Sequence, residues 1–204
     1  MLKRTFDIAF SFSVLLFGAP VLLLLSLLVR LKIGTPVFFV QERVGKNGSI
    51  FRMVKFRSMT NARNAQGELL PDADRLTPFG SFLRRTSLDE LPEFWNVLTG
   101  SMSVVGPRPL LPRYLPRYTP EQARRNEVPP GITGWTAVNG RNAISWEEKF
   151  KLDVWYVDNR SMLLDLKIVL LTLLKALRGG GVSAPGEATM PEFLGNNNAT
   201  KCPA

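Results

Sequence analysis

The distribution of hydrophobic residues divides the chain near residue 34. From Ile8 to Val29 no residue is charged, and this length matches the roughly 20 residues that an α-helix needs to cross a bilayer. A cleaved secretory signal would have a shorter apolar stretch and a small-residue cleavage site, and this sequence shows neither. After Gly34 the composition changes to that of a water-facing domain. We therefore expect a membrane helix over residues 1–34, followed by one further domain.

Pro20 and the basic flanks decide how this helix meets the membrane. Lys3 and Arg4 precede the apolar stretch, and Arg30 and Lys32 follow it. Basic residues favour the cytoplasmic side, so both flanks favour the same side. A proline inside a helix removes one N–H donor and clashes with the preceding turn, which predicts a kink or a break. A helix broken at Pro20 that re-enters on one side fits both flanks, and an ordinary kinked spanning helix is the alternative.

The pattern beyond residue 34 predicts short strands and several helices. Apolar and basic residues suggest strands at 37–40 and 50–56, joined by a turn. One helix is expected over 81–85 and another from Ser87, because Ser87 to Glu90 fit a capping box. Two more are expected over 146–156 and 161–178, the last suited to the core or to the membrane interface. The fold class is therefore a helix-rich α/β fold, with a single small domain over residues 35–193 and a mobile tail over 194–204.

The net charge and the counts of histidine and cysteine limit the ligands and the catalytic groups that this protein can use. The chain has 26 Lys and Arg against 17 Asp and Glu, a net charge of +9, which favours nucleic acid, an anionic membrane surface or phosphorylated ligands. It has no histidine, and its single cysteine is Cys202 near the end, so histidine catalysis, histidine-bound metals and internal disulfides are excluded. The glycine-rich loops of nucleotide-binding folds are also missing. Catalysis would have to use carboxylates, lysine, hydroxyls or an oxygen-bound metal.

The adjacent acids Asp89 and Glu90 are the candidate chemical centre. Neighbouring residues on a helix point about 100° apart, so the two carboxylates can flank one bound group. One carboxylate can attack phosphorus to form an acyl phosphate, while the other takes a proton from the acceptor. The alternative is structural, since acids in a first turn commonly oppose the helix dipole.

Basic residues on predicted strands and loops favour a phosphate site around these acids. Lys55 lies on the second strand, Arg84 just before the acidic pair, and Arg141 in a turn. Arg108 stands between two prolines, a stiff setting for bidentate phosphate binding. Each basic residue taken alone could simply be solvated. An oxygen-ligated Mg²⁺ is expected where a diphosphate meets Asp89.

Five motifs in a fixed order resemble those of a known family. The chain is similar to the bacterial sugar transferases called monotopic phosphoglycosyl transferases, and closest to the minimal PglC type, which has little beyond the catalytic domain. The resemblance runs from about Lys3 to Phe193. The motifs are Lys55-Phe56-Arg57-Ser58-Met59, Leu83-Arg84-Arg85-Thr86-Ser87-Leu88-Asp89-Glu90-Leu91-Pro92, Met102-Ser103-Val104-Val105-Gly106-Pro107-Arg108-Pro109, Pro130-Gly131-Ile132-Thr133-Gly134 and Val138-Asn139-Gly140-Arg141-Asn142.

The resemblance implies a membrane-resident enzyme with a covalent mechanism. The first helix would re-enter, and the catalytic domain, with its interfacial helices, would lie at the cytoplasmic face of the bacterial inner membrane. Asp89 would attack the β-phosphate of a UDP-sugar and release UMP, leaving a phospho-sugar on Asp89. Glu90 would then deprotonate undecaprenyl phosphate, which takes the sugar phosphate to form a polyprenyl diphosphate-linked sugar.

The same resemblance assigns the binding residues and the cofactor. Lys55, Arg84 and Arg108 match the family's basic positions around the phosphates, and Arg141 matches one near the nucleotide. Mg²⁺ would be bound by Asp89 and the diphosphate. The implied partners are the UDP-sugar, undecaprenyl phosphate and the bilayer, without nucleic acid, and downstream glycosyltransferases are compatible with this pathway position.

Two details concern the sugar and the departures from the family pattern. Residues 181–190 are similar to members that use UDP-di-N-acetylbacillosamine in N-linked protein glycosylation. Ala19 stands before Pro20 where the family often has serine, and Ala137 stands where many members have glutamine.

Two other functions are compatible with parts of the sequence. A membrane-anchored basic protein could bind anionic lipid or nucleic acid through its Lys and Arg residues. That function leaves Asp89, Glu90 and the rigid loop around Arg108 unexplained. A phosphatase that hydrolyses a phospho-aspartate would use the same acids without an acceptor.

Overall fold

The computed structural model describes residues 2–140, 144–177 and 192–195. The main helices are α1 (Leu2–Lys32), α2 (Asp72–Arg75), α3 (Pro78–Thr86), α4 (Glu93–Thr99), α5 (Pro120–Ala123), α6 (Trp135–Val138), α7 (Trp146–Asn159) and α8 (Met162–Leu177). The strands are β1 (Phe38–Val44), β2 (Ile50–Phe56), β3 (Ser103–Val105) and β4 (Gly131–Thr133), and 3₁₀ turns cover Lys46–Gly48, Leu88–Glu90, Pro112–Arg117 and Arg124–Glu127. The helix-rich α/β fold class is confirmed.

Two small sheets organise the domain. β1 and β2 form an antiparallel hairpin whose register runs from Phe38 opposite Phe56 to Val44 opposite Ile50. β3 and β4 pair in parallel, with Ser103 opposite Gly131. The hairpin follows the predicted strands, but β3 and β4 were not predicted, because three-residue strands carry too little periodicity to be distinguished from loop.

Helix α1 has the length and composition of a membrane helix, and it is the one such helix among the described residues. It runs for 31 residues with Pro20 inside it, so helical structure continues through the proline instead of breaking there. Proline removes only one hydrogen bond, and the bonds on either side preserve the helix. Many of its large apolar side chains are exposed, among them Phe12, Leu16, Phe17, Leu23, Leu24 and Leu31.

The N-terminal end of α1 is bound to the following domain by polar contacts. The Lys3 ammonium lies 2.6 Å from the buried carboxylate of Asp165. Arg4 donates to the carbonyls of Val97 and Leu98, in the last turn of α4, at 2.6 and 2.7 Å. Cations at a helix C-terminus complete its unpaired carbonyls and stabilise its dipole.

The C-terminal half of α1 is bound to the same domain by apolar contacts. Leu25, Val29 and Ile33 are buried in a cluster with Phe56 of β2 and Leu83 of α3. Each fully buried aliphatic side chain stabilises the packing by about 1.5–3 kcal/mol. Both ends of α1 therefore rest on one domain, while its middle exposes an apolar surface.

The predicted capping box at Ser87 is wrong. Ser87 has φ of 56°, forms the left-handed C-terminal cap of α3, and makes no side-chain N-cap bond. An N-cap residue needs extended dihedral angles, so Ser87 cannot start a helix in this conformation. A 3₁₀ turn over Leu88–Glu90 follows, and α4 begins only at Glu93, directly after Pro92.

Candidate functional site

Asp89 and Glu90 lie on the 3₁₀ turn between α3 and α4. Asp89 is 5% exposed, and the Glu90 side chain is 15% exposed. Leu88 and Leu91, on either side of them, pack against the cluster that buries α1. The two leucines anchor the turn, so the acids between them are presented together from a fixed backbone.

Burial changes the protonation of Asp89. Loss of water and the neighbouring Glu90 charge raise the pKa of Asp89 to about 6, against the opposing effect of Lys55, Arg108 and Arg84. A carboxylate in a dry site is a stronger nucleophile than one in water, because it is not shielded by solvent.

Arg108 reaches the acids from the Gly106–Pro109 loop. Its guanidinium donates to Glu90 Oε1 at 2.5 Å, and the charge of Glu90 is the main reason that the pKa of Arg108 is raised. The Arg108 side chain is still 59% exposed. Arg108 can therefore hold Glu90 on one side and present N–H donors to a phosphate on the other.

Lys55 and Arg84 complete the positive surroundings of the acidic pair. Lys55, on β2, has its pKa lowered by burial and by Arg108, partly offset by Glu90, Glu93 and Asp89. Arg84 Nε donates to Ser58 Oγ at 2.9 Å; burial lowers its pKa, and Asp89 acts against that shift. The structure thus brings the two acids together with Lys55, Arg84 and Arg108, while the roles of these residues stay a prediction. Arg141 lies outside the described residues.

Glu93 is a third acid at this site, and the sequence reasoning missed it. It is 3% exposed in the first turn of α4, and its Oε1 has no hydrogen-bond partner among the described residues. Burial and Glu90 raise the pKa of Glu93 to about 8. The sequence signal that could have identified Glu93 is its spacing, three residues after Glu90 and four after Asp89. Residues at this spacing lie about one helical turn apart and can be neighbours.

A buried ion pair holds the Arg108 loop in place, and it was also missed. Arg125 donates to Asp153 Oδ2 from Nε at 3.0 Å and from its terminal nitrogen at 2.7 Å, and both side chains are almost fully buried. Arg125 also donates to the Arg108 carbonyl at 2.8 Å. Thr136 donates to the other Asp153 oxygen at 2.6 Å. This network positions Arg108, and only the tertiary structure brings its members together.

A cavity of about 340 Å³ extends from Glu90 and Arg108 towards α7 and α8. Asp89, Lys55 and Arg84 do not line it. Burial lowers the pKa of the lining residue Lys149 to about 8, assisted by Arg108. The lining combines apolar and basic side chains, which suits a ligand with an anionic group and less polar portions; it includes Arg85, Phe94, Arg125, Ile132, Ala137, Val138, Trp146, Lys149, Phe150 and Lys175.

The acids present limit how a metal could bind. Within the part of the chain that the structure describes, no group of three or more Asp, Glu, His or Cys side chains is suited to hold a metal ion. Mg²⁺ commonly uses one or two carboxylates and completes its shell with substrate phosphates and water. The Asp89–Glu90 pair offers two adjacent carboxylates, which is the number that such a site uses.

Comparison with known proteins identifies the family. The profile described as bacterial sugar transferase matches residues 1–179. The sugar transferase EpsL of Bacillus subtilis (strain 168) is 52% identical over 200 residues, which cover 98% of this chain and 99% of EpsL.

Two longer relatives carry more specific names. The galactosyl transferase CpsE of Streptococcus agalactiae is 43% identical over 193 residues, covering 88% of this chain and 43% of CpsE. The UDP-glucose:undecaprenyl-phosphate glucose-1-phosphate transferase of Escherichia coli (strain K12) is 40% identical over 185 residues, covering 86% of this chain and 40% of that protein. This chain thus spans about two fifths of either relative. A profile match over residues 1–179, together with a relative aligned over almost its full length, places the protein in the bacterial sugar transferase family.

Proposed function

We propose that this protein transfers a sugar 1-phosphate from a UDP-sugar to undecaprenyl phosphate, with release of UMP. The observation that carries the proposal is the buried Asp89–Glu90 pair surrounded by Lys55, Arg84 and Arg108. Three cations around two acids suit a doubly charged diphosphate and a carboxylate nucleophile in one site. The name of the Escherichia coli relative, which specifies this reaction for glucose, supports the same chemistry.

The proposed mechanism has two displacements at phosphorus. An Asp89 oxygen attacks the β-phosphorus, the bond from that phosphorus to the bridging oxygen breaks, and UMP leaves. Glu90 then accepts the proton of undecaprenyl phosphate, whose oxygen attacks the phospho-sugar and restores the Asp89 carboxylate. Arg108 holds the Glu90 carboxylate in position through its 2.5 Å bond, and Lys55 and Arg84 stabilise charge on the transferring phosphoryl group.

Asp89, with Glu90 beside it, would hold the expected Mg²⁺ together with the diphosphate. When bound, the ion would neutralise phosphate charge and polarise the β-phosphorus. The protein itself would hold the two carboxylates side by side, and the packed side chains of Leu88 and Leu91 would keep water away from them.

The packing of α1 supports a re-entrant position in the membrane. A spanning helix would place its ends on opposite sides of a hydrocarbon layer about 30 Å thick. Here Lys3 and Arg4 contact the same domain as Val29 and Ile33. We infer that both ends lie on one side, at the cytoplasmic face of the inner membrane, where UDP-sugars are available. Downstream glycosyltransferases would then receive the lipid-linked product.

The sugar is best identified by direct comparison of UDP-sugars as donors. Glucose and galactose are the sugars in the names of relatives. The prediction of di-N-acetylbacillosamine for N-linked glycoproteins rests on residues 181–190, which lie outside the described residues. UMP release should be measured from UDP-glucose, UDP-galactose and UDP-di-N-acetylbacillosamine, each with and without undecaprenyl phosphate, in Mg²⁺.

The outcomes of this assay separate the candidate functions. A transferase gives acceptor-dependent UMP and a lipid-linked sugar. A phosphatase gives UMP and free sugar phosphate without acceptor. If the folded, membrane-inserted protein releases no UMP, the alternative function of binding anionic lipid or nucleic acid is favoured. Such binding should weaken steeply as the salt concentration rises.

Substitution of the acids tests their roles. Asp89→Asn should abolish turnover and the covalent phospho-sugar, because an amide cannot form the acyl phosphate. Glu90→Gln should reduce turnover by about 10²-fold or more while nucleotide-sugar binding persists, since it removes a general base. Intact-protein mass spectrometry detects the adduct. Asp74→Asn, at an exposed position of α2, is the matched control, and full activity in Asp89→Asn would disprove the nucleophile.

A further inference from the structure

The segment 192–195 packs against the domain although it lies beyond residues 1–179, the part that the family profile matches. Phe193 is 4% exposed. Its ring lies in an aromatic cluster, with centroid distances of 5.0 Å to Phe150, 5.6 Å to Trp146, 5.8 Å to Tyr114 and 6.1 Å to Tyr118. A side chain buried among four rings is a docked group, since aromatic pairs at these distances add to the burial energy.

Polar contacts bind the same segment on its other side. Arg117 donates to the Glu192 carboxylate at 2.8 Å and to the Phe193 carbonyl. Arg113 lies 3.2 Å from the other Glu192 oxygen. One carboxylate shared by two arginines, together with a backbone bond, fixes the direction from which Phe193 enters the cluster.

The aromatic cluster also forms one wall of the cavity. Trp146 and Phe150, stacked at 5.7 Å on the first turns of α7, both touch Phe193 and line the cavity that reaches Glu90. Lys149 lies between them in sequence and also lines the cavity, with its ammonium 5.2 Å from the Trp146 ring centroid. The positions of Trp146 and Lys149 in the cavity therefore depend on what packs against α7 from the other side.

We propose that Glu192 and Phe193 form a C-terminal clasp, which positions the α7 wall of the cavity and thereby sets the affinity for the sugar nucleotide. This rests on the proposed function of the site. Without the Phe193 ring, the cluster would have a void that Trp146 and Phe150 can enter, since cores relax partly into cavities. Asp89, Lys55 and Arg84 do not line this cavity, so substrate binding should suffer more than the chemical steps.

The direct test is Phe193→Ala, with Leu194→Ala as the matched control, because Leu194 is 60% exposed in the same segment. If the binding-competent wall is populated a tenth as often, KM for the UDP-sugar rises about tenfold, while kcat changes by less than about twofold. Phe193→Tyr, which keeps the ring, should restore most of the affinity. Leu194→Ala should behave as the unaltered protein.

Glu192→Gln is the second variant, because it weakens the clasp without opening a void. Surface ion pairs contribute modestly, so KM should rise about threefold. A readout independent of activity is hydrogen exchange in residues 146–150, which should speed up in Phe193→Ala and in Glu192→Gln, but not in Leu194→Ala.

The outcomes separate this inference from the function on which it rests. If the unaltered protein makes no UMP, the proposed transferase is wrong, while exchange in α7 still tests the clasp. If the unaltered protein is active and both clasp variants keep its KM and its exchange rates, the clasp is disproved. A fall in kcat with unchanged KM would likewise disprove a role in binding.

Discussion

At the scale of single residues, Glu93 carries an unusual energetic cost. Its carboxyl group is buried and has an oxygen without a partner among the described residues. A buried charge in such a place is unfavourable, so the group holds its proton more tightly than in the unfolded chain. The pKa of Glu93 is accordingly raised, to about 8, by burial and by the charge of Glu90.

A raised pKa makes stability depend on pH in a defined direction. The folded state keeps the proton that the unfolded chain loses near its ordinary pKa of 4.5. The contribution of Glu93 is therefore complete in acid and is lost as the pH rises from there through about 8. Glu93→Gln, which does not titrate, should be more stable than the unaltered protein at pH 8 and above, by on the order of a few kcal/mol.

Thermal unfolding in detergent between pH 5 and 9 measures this difference. The gain in Tm of Glu93→Gln should be small at pH 5, grow towards pH 8 and then level off. Glu147→Gln, whose side chain is 70% exposed on α7, should show no such gain. A gain that is constant across the pH range would mean that Glu93 is ionised in the folded protein.

At the scale of elements, the Gly106–Pro109 loop determines where Arg108 lies. The Arg125 side chain holds the loop by donating a hydrogen bond to the Arg108 carbonyl. The backbone of the loop also lies very close to the segment that begins β4. A Cβ on Gly106 would lie 2.4 Å from the Pro129 carbonyl oxygen and 2.9 Å from the Gly131 nitrogen. No side chain fits at that distance, so the loop and β4 depend on each other.

Arg125→Lys should lower activity through the loop. Lysine keeps the charge but cannot bond Asp153 and the Arg108 carbonyl with the fixed geometry of a guanidinium. We expect kcat to fall about tenfold, and the loss should be smaller in an Arg108→Lys background because the two residues act together. The measurement is steady-state UMP release with saturating acceptor. Arg124→Lys, at the neighbouring surface position, is the control. If the losses from Arg125→Lys and Arg108→Lys add in the double variant, Arg125 does not act through Arg108.

Gly106→Ala should damage the same loop by crowding. The added methyl group must displace backbone atoms at 2.4 Å, which costs at least about 1–3 kcal/mol as an overpacked position. The expected result is a lower Tm and a loss of UMP release. Gly18→Ala in α1, where an added Cβ meets nothing within 4 Å, should leave both unchanged. An equal effect of the two substitutions would contradict the crowding argument.

At the scale of the whole molecule, the exposed apolar surface of α1 needs a lipid environment, and the contacts at its two ends determine its direction. Lys3 is unsuitable as a labelled site, because its ammonium is bonded to Asp165 and to the Val105 carbonyl. Leu2 and Leu31 are 79% and 71% exposed and stand beside the basic residues at the two ends of α1, so cysteines there should lie at the membrane surface, within reach of a reagent.

Cysteines at these two positions test the topology. In a chain with Cys202→Ser, an impermeant thiol reagent should label Leu2→Cys and Leu31→Cys from the cytoplasmic face alone, since both ends of α1 pack on one domain. Intact cells and inside-out vesicles provide the two sides, and a detergent-solubilised sample is the control for reactivity. Labelling from opposite sides would establish a spanning helix.

The sequence by itself determined the elements whose signal is local. The apolar run predicted α1, alternation predicted β1 and β2, and helical periodicity predicted α7 and α8, because neighbouring residues share a face in these patterns. Residue type also singled out the Asp89–Glu90 pair and the basic residues Lys55, Arg84 and Arg108, which lie close together in the fold, and their catalytic and binding roles stay a prediction. The capping box at Ser87 failed because its dihedral angles were set by α3 and not by the local motif.

Only the tertiary structure decided which distant residues meet. The Arg125–Asp153 pair beneath Arg108, the parallel pairing of β3 with β4 and the burial of Phe193 against α7 join residues that are far apart in the chain. Such contacts depend on how the whole domain packs, and packing between distant segments leaves no pattern among neighbouring residues of the sequence. The same holds for the raised pKa values of Asp89 and Glu93, because a pKa responds to burial and to nearby charges, and both exist only after the chain has folded.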